Sequence, residues 1–422
     1  MNPPAKPCIL IIGDAGTPTG FARVIRSIFS PLKDDFELHQ LATRYTGGPH
    51  DLPWTLTPAG AGTSVYGYDQ IKTLVGQIRP AIIFLLYDIP FQVPYMKILR
   101  ESAPDARVVI YSPVEAGPIA PEMLEQLHGV SRYVMYTQYG RREIDRALAD
   151  VRVQRPEFSF PALRVIPHGV DCERFHPLED STDSERQGVI PARRLQARMG
   201  LGFKDAEHLE SFIVLNANRN MPRKRIDITM QGFARFAQNK PRNVKLYLHL
   251  ATEDTGWNVL ILAKRYGIYD RLIMTRADNV RPAFSDEEMN VLYNACDVGL
   301  TTTTGEGWGL VSFEHAATKA AQIVPRHTSL RDLWAGAAEF VEPAMTLTNP
   351  GNLTDAYIVT PNDVAAALER LYRDADYRNA LADAGYQNAR RPEYRWLAIA
   401  SEWRRLFVEL LTEETTRNTS PP

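Results

Sequence analysis

The chain has 422 residues, 44% hydrophobic and 23% charged, which is the composition of a globular protein long enough for two domains. A net charge of -2, with neither half basic, argues against a protein built to track a nucleic-acid backbone. Its clearest apolar run, Ala81–Leu86, is far too short to span a bilayer, and the residues before Gly13 are too few for a secretory signal.

The first half alternates buried strands with amphipathic stretches. CILIIG (8–13), AIIFLLY (81–87), ARVVIYS (106–112) and RYVMYT (132–137) read as strands. In GFARVIRSIFSPL, Phe21, Val24, Ile25, Ile28 and Leu32 share one helical stripe. The loops YTGGPHDLPWTL (45–56) and YDIPFQVPYM (87–96) are aromatic and Pro-rich, faces that suit sugar rings or bases or simply pack. Such strand–helix alternation predicts parallel sheets built from βαβ units.

A polar, periodless stretch, 176–191, reads as the connecting loop, and the same grammar then resumes. Strands are expected at 212–218, 244–251, 271–275, 297–303 and 321–325, with helices near 225–238, 256–267, 286–295 and 311–320. The end of the chain, 411–422, reads as a disordered tail. Cys8, Cys172 and Cys296 are odd in number and form no CxxC, which argues against a disulfide framework or a structural zinc site and for a reducing, cytoplasmic setting.

The stretch GEGWGLVSFEHAATKA (305–320) carries the chemistry. Its glycines let a ligand approach the main chain, and the helix after them offers unpaired N–H groups to an anion. Glu306 and Glu314 add two acids suited to sugar and ribose hydroxyls. Upstream, NANRNMPRKRIDITMQ puts Arg219 and Lys224 on a strand-to-helix loop, where two cations can clamp a diphosphate. Each of these features alone also reads as a solvated turn.

Taken with VIPHGVDCERF (165–175) and GDAGTPTGFARV (13–24), these segments resemble the retaining nucleotide-sugar glycosyltransferases of family 4, over roughly residues 8 to 410. The resemblance implies an α/β GT-B fold: two Rossmann-like, doubly wound domains facing a central cleft. Residues 1–163 would form the acceptor domain and 164–393 the donor domain, with a last helix, 394–410, returning to the first. It implies that Arg219 and Lys224 neutralise the donor diphosphate, that Glu306 meets the donor sugar and that Glu314 binds the ribose. The backbone around Gly307, Trp308, Gly309 and Leu310 would bind sugar hydroxyls and phosphate, and Gly16 would approach the phosphates when the cleft closes. The implied donor is a nucleoside-diphosphate sugar, with neither cofactor nor metal.

The family's usual acceptor-side His is missing, and YSPVEAGPIAP offers only Glu115 in its place. Tyr87 and Asp88 are the other acceptor-side candidates. KAAQIVP stands where Gly-x-Pro is usual, and His168 where Asn is common. The missing His leaves a catalytically silent sugar-nucleotide-binding scaffold as the alternative. A dinucleotide-dependent oxidoreductase fails on glycine spacing, G-x-x-G-x-x-x-G. A saccharide or small-molecule acceptor is favoured over protein, lipid-linked saccharide or nucleic acid. The pair Asp374 and Asp376 reads as two solvated acids rather than a metal site.

Overall fold

The computed structural model describes residues 6–16, 19–179 and 190–417. These divide into two units, one comprising Met1–Gly169 with Pro392–Pro422 and the other Val170–Arg391. The stretch expected as a connecting loop lies largely outside the described residues.

In unit 1, seven strands run in parallel: β1 (Cys8–Asp14), β2 (Glu37–Thr43), β3 (Thr55–Pro58), β4 (Ile82–Leu86), β5 (Arg107–Ser112), β6 (Arg132–Met135) and β7 (Leu163–Val165). Their order is β3-β2-β1-β4-β5-β6-β7, so the chain reverses direction across the sheet between β1 and β4. Ile9–Ile12 and Ile82–Leu86 are fully buried because helices cover both faces of a parallel sheet, which requires unbroken apolar runs.

The helix Gly20–Phe29 buries Val24, Ile25 and Ile28 of the expected stripe and Phe29 beside it, while Phe21 is half-buried. It stops short of the expected Leu32 and tightens into a 3-10 turn, Ser30–Leu32, at Pro31, which has no N–H for the helical ladder. The second aromatic stretch is not a loop. Its residues from Ile89 belong to the helix Ile89–Ser102, with Pro90 in the first turn where no N–H is needed. Phe91 and Tyr95 are therefore one turn apart, and both pack on Tyr66 or Tyr68 and on Tyr87.

The helix Trp396–Arg417 completes this unit. Trp403 and Phe407 sit edge-on to Phe84 at centroid distances of 5.1 and 6.3 Å, and Phe407 stacks on Phe29 at 5.9 Å. The expected disordered tail is thus helical as far as Arg417. The rest of the tail lies outside the described residues.

Unit 2 repeats the plan with six parallel strands: β8 (Phe212–Asn216), β9 (Val244–Leu248), β10 (Leu272–Met274), β11 (Val298–Leu300), β12 (Ala321–Pro325) and β13 (Glu339–Val341). The order β10-β9-β8-β11-β12-β13 puts its reversal between β8 and β11. A separate antiparallel hairpin pairs β14 (Met345–Thr348) with β15 (Asp355–Ile358).

The expected strand 297–303 keeps only Val298–Leu300. The Thr301 N–H still donates to the Ile323 carbonyl at 3.1 Å, and the next two threonines turn their hydroxyls to main-chain carbonyls off the sheet. Thr302 Oγ1 donates to the Lys224 and Arg225 carbonyls at 3.2 and 2.8 Å, and Thr303 Oγ1 to the Gly305 carbonyl at 2.7 Å. No helix among the described residues is long and apolar enough to cross a membrane.

Candidate functional site

In open parallel sheets, ligands collect beyond the strand carboxyl ends where the strand order reverses. In unit 2 that place is framed by the loops after β8 and β11. After β8, Pro222–Lys224 form a 3-10 turn that ends in a left-handed Arg225 (φ 47°), and the helix Ile226–Phe236 follows. After β11, the buried Thr301–Thr304 lead into the acidic turn. The Thr304 N–H donates to the Arg223 carbonyl at 2.9 Å, tying the two loops together.

The two loops bring Lys224 and Glu306 into direct contact, a hydrogen-bonded ion pair with both side chains buried. Arg223 lies 3.6 Å from the same carboxylate and donates to the Gly305 carbonyl at 2.5 Å. Burial alone would raise the Glu306 pKa. Lys224 first and Arg223 next outweigh it and hold the carboxyl below its ordinary value.

The turn is fixed from behind as well. Thr328 Oγ1 accepts from the Glu306 N–H and approaches its carbonyl, each at 3.2 Å, and the Ser329 hydroxyl also donates to that carbonyl. Thr328 holds φ at 43°, a conformation uncommon for a β-branched residue. His327 Nε2 faces the Thr303 carbonyl at 2.9 Å, and burial lowers its pKa to about 4.

Glu314 is buried in the helix Leu310–Ala316, where the Tyr293 hydroxyl donates to it at 3.0 Å. Gly309 caps that helix with φ at 90°, a position that a side chain would strain. Gly307 is buried; Leu310 is half-buried. The Trp308 ring stacks at 5.0 Å on Phe313, which supports the turn from the apolar side.

Arg219 bonds a different carboxylate from Lys224. Asp254 holds it in a two-pronged bond at 2.7 and 3.2 Å and also takes Arg281 at 3.1 Å. These three residues lie on the loops after β8, β9 and β10. Asp374 caps the helix Ala375–Ala389 by accepting from the Tyr377 N–H at 2.8 Å.

Unit 1 has its own cluster at the β1–β4 reversal. Asp14, buried at the end of β1, accepts hydrogen bonds from Tyr87 at 2.6 Å, Thr43 at 2.8 Å and Thr19 at 2.9 Å. Burial, then the Asp14 charge, pushes the Tyr87 phenol pKa well up. Gly16 (φ 67°) lies so close to the Tyr45 ring that a Cβ would stand 2.4 Å from it.

Asp88 precedes the helix Ile89–Ser102, and Glu115 is half-buried after β5. Both charges reach Tyr136, where burial foremost, then Tyr111, Asp88 and Glu115 raise the phenol pKa. His168 is packed between Tyr111 and Tyr136, and burial lowers its pKa to about 3.

Arg223, Asp254, Thr328, His327, Asp14 and Thr43 had no signal in the spacing, because each depends on a partner far away in the chain. The one readable clue was TTTT ahead of the acidic turn, four hydroxyls in a place where a strand needs none.

Across 97% of this chain and all of the other, the structure matches the sucrose-phosphate synthase of Thermosynechococcus elongatus, with a TM-score of 0.70 and 16% identity. It also matches Anabaena HepE, solved with UDP and glucose, at a TM-score of 0.67 and 15% identity over 95% of this chain and 99% of that one. The fold is GT-B.

Among curated proteins, this GT-B chain is 24% identical over 292 residues to a D-inositol 3-phosphate glycosyltransferase of Salinispora tropica, covering 65% of this chain and 53% of that protein. It is 26% identical over 177 residues to the mannosylfructose-phosphate synthase of Agrobacterium fabrum, covering 40% of this chain and 33% of the other. The chain thus spans about a third to a half of the curated relatives it matches, and those relatives are glycosyltransferases. No family profile matches it.

Proposed function

We propose that this GT-B protein transfers a sugar from a nucleoside-diphosphate sugar to a hydroxyl acceptor, with retention at the anomeric carbon and without a catalytic metal. The observation that carries the reading is the buried Lys224–Glu306 pair at the reversal of the unit 2 sheet, with Glu314 on the helix that follows. A buried carboxylate kept ionised by Lys224 and Arg223 is a preformed acceptor for sugar hydroxyls.

In this mechanism Lys224 and Arg219 face the diphosphate. The negative charge that grows on the leaving group is met by cations already in place, so little reorganisation accompanies bond cleavage. Asp254 holds the Arg219 guanidinium in one orientation before any donor arrives. Glu306 takes the sugar and Glu314 the ribose. A diphosphate oxygen accepts the acceptor's proton on the face that the leaving group vacates, which gives retention. The acceptor-side residues are Tyr87, Asp88 and Glu115 of unit 1, and a saccharide or small molecule is the favoured acceptor.

Two tests separate the parts of this reading. Incubation with a panel of nucleotide sugars and no acceptor is expected to show slow donor hydrolysis. A protein that binds a donor and never turns it over is a silent scaffold, and the transferase reading then falls. Transfer is also expected to survive EDTA, and an Asp374→Ala/Asp376→Ala double variant to keep a near-normal rate. Activity abolished by both treatments, and restored by Mn²⁺ only in the unmutated protein, would overturn metal independence. Mass spectrometry of the product identifies the acceptor.

A further inference from the structure

A second cluster lies at the other end of the unit 1 sheet. Cys8 opens β1 and is the register partner of Glu37 on β2, while His39 pairs with Leu10 two residues on. Residues two apart on a strand share a face, as do register partners on parallel neighbours. Cys8, Glu37 and His39 therefore project from the same side of the sheet. One ligand atom from each, the Cys8 sulfur, a Glu37 oxygen and a His39 ring nitrogen, lies within 4.8 Å of the other two. His39 Nε2 already meets Glu37 Oε1 at 3.0 Å.

We infer that Cys8, Glu37 and His39 form a binding site for a zinc-class divalent ion. The donor set argues for that class. Thiolate, imidazole and carboxylate together suit Zn²⁺ or Co²⁺, whereas Mg²⁺ and Ca²⁺ require shells of oxygen. With Cys8 bound as thiolate and Glu37 as carboxylate, two negative charges balance the dication. Three protein ligands leave the fourth tetrahedral position to water. The backbone beneath the donors is held, since the Glu37 N–H donates to the Pro7 carbonyl and the Ala81 N–H to the Cys8 carbonyl, both at 3.0 Å. Cys8 and His39 are half-buried and Glu37 is exposed, so an ion has a path in.

The ion's effect is on the fold rather than on transfer. Cys8 and Asp14 are opposite ends of β1, about 20 Å apart at the usual rise per residue. A bound ion staples the start of β1 to β2. The inference is independent of the proposed transferase activity. Cysteine spacing argues against a structural zinc site because it sees no pairs; this set is assembled by strand register from residues 8, 37 and 39.

The test is titration of metal-stripped full-length protein with Co²⁺, followed by absorption. One equivalent is expected to give a thiolate-to-cobalt charge-transfer band that Zn²⁺ abolishes and excess Mg²⁺ does not. Cys8→Ser should remove the band. Glu37→Gln and His39→Ala should each weaken Co²⁺ affinity by roughly 10-fold or more, at least the loss seen for removing an outer-shell partner. A Cys172→Ser/Cys296→Ser double variant should keep the band. Zn²⁺ should raise the melting temperature of the parent and leave that of Cys8→Ser unchanged. Absence of the band, or its persistence in a folded Cys8→Ser variant, would overturn the site.

Discussion

At the reversal of the first sheet, Asp14 is surrounded by the hydroxyls of Tyr87, Thr43 and Thr19. At the reversal of the second, Glu306 is surrounded by cations, Lys224 in contact and Arg223 behind it. Both carboxylates are buried where open parallel sheets place ligands, yet the groups bonded to them differ in kind. Hydroxyls satisfy a charge by hydrogen bonds and leave its sign in place. Cations cancel it, and a group of opposite sign that loses its partner is left buried and uncompensated. The lesson is that the same position in a doubly wound sheet can be set for polar recognition or for charge, according to which residue types the adjoining loop carries.

The largest effect should come from breaking the charged pair. Lys224→Ala leaves Glu306 buried without its contact cation, which should cost about 3–5 kcal/mol of stability by denaturant melt. It should also lower kcat at least ~10²-fold in the fraction that folds. Unchanged turnover in a folded Lys224→Ala variant would remove the diphosphate role.

Acid should separate the two units next. Burial lowers the pKa of His315 to about 3 and of His249 and His327 to about 4 in unit 2, and of His168 to about 3 in unit 1. An unfolded histidine titrates near 6.5, so between that value and the folded one the unfolded chain binds more protons. Stability therefore falls as pH drops through this window. At pH 5.5 each such group costs about 1.4 kcal/mol. Hydrogen exchange on the whole chain at pH 7 and 5.5 should show protection in unit 2 dropping by about 2–3 kcal/mol more than in unit 1. Equal losses would mean that these histidines do not stay neutral.

A smaller effect divides the acidic turn itself. Glu314→Gln should weaken binding of the bare nucleoside diphosphate by about 1.5–3 kcal/mol, the value of a charge-assisted hydrogen bond. Glu306→Gln should leave that affinity nearly unchanged and act through the sugar. Calorimetry distinguishes them, and equal losses would dissolve the division between ribose and sugar.

The smallest effect should be Asp14→Asn. An amide oxygen still accepts, and the hydroxyl rotors around it can turn to accept from the new NH₂ group. A loss of about 1–2 kcal/mol in chemical denaturation is expected, below that of Glu306→Gln, which strands Lys224. The reverse ranking would erase the contrast between the hydroxyl and cation environments.

The parallel sheets were legible because a strand covered on both faces must be apolar throughout, as in CILIIG and AIIFLLY. Glu306, Glu314 and Lys224 were legible because the acidic turn and the basic loop each lie within a short span. The pairing of Arg219 with Asp254 was not, since 35 residues separate them. Nor was the Asp14 cluster, because an Asp at a strand end looks the same whether it faces water or three hydroxyls. The Pro-rich stretch from Tyr87 was misread because Pro punctuates loops and also opens helices, and only the i to i+4 spacing of Phe91 and Tyr95 favoured the second.

The helix Trp396–Arg417 has a consequence for the order in which the molecule is made. Trp403 and Phe407 fill the core of unit 1, but the ribosome adds them only after every residue of unit 2. The half synthesised first must wait for the half synthesised second before its core is whole, the reverse of the usual order in which domains mature as they emerge. A nascent chain stalled just after Arg391 would carry a complete second unit, with the first still open where those two rings belong.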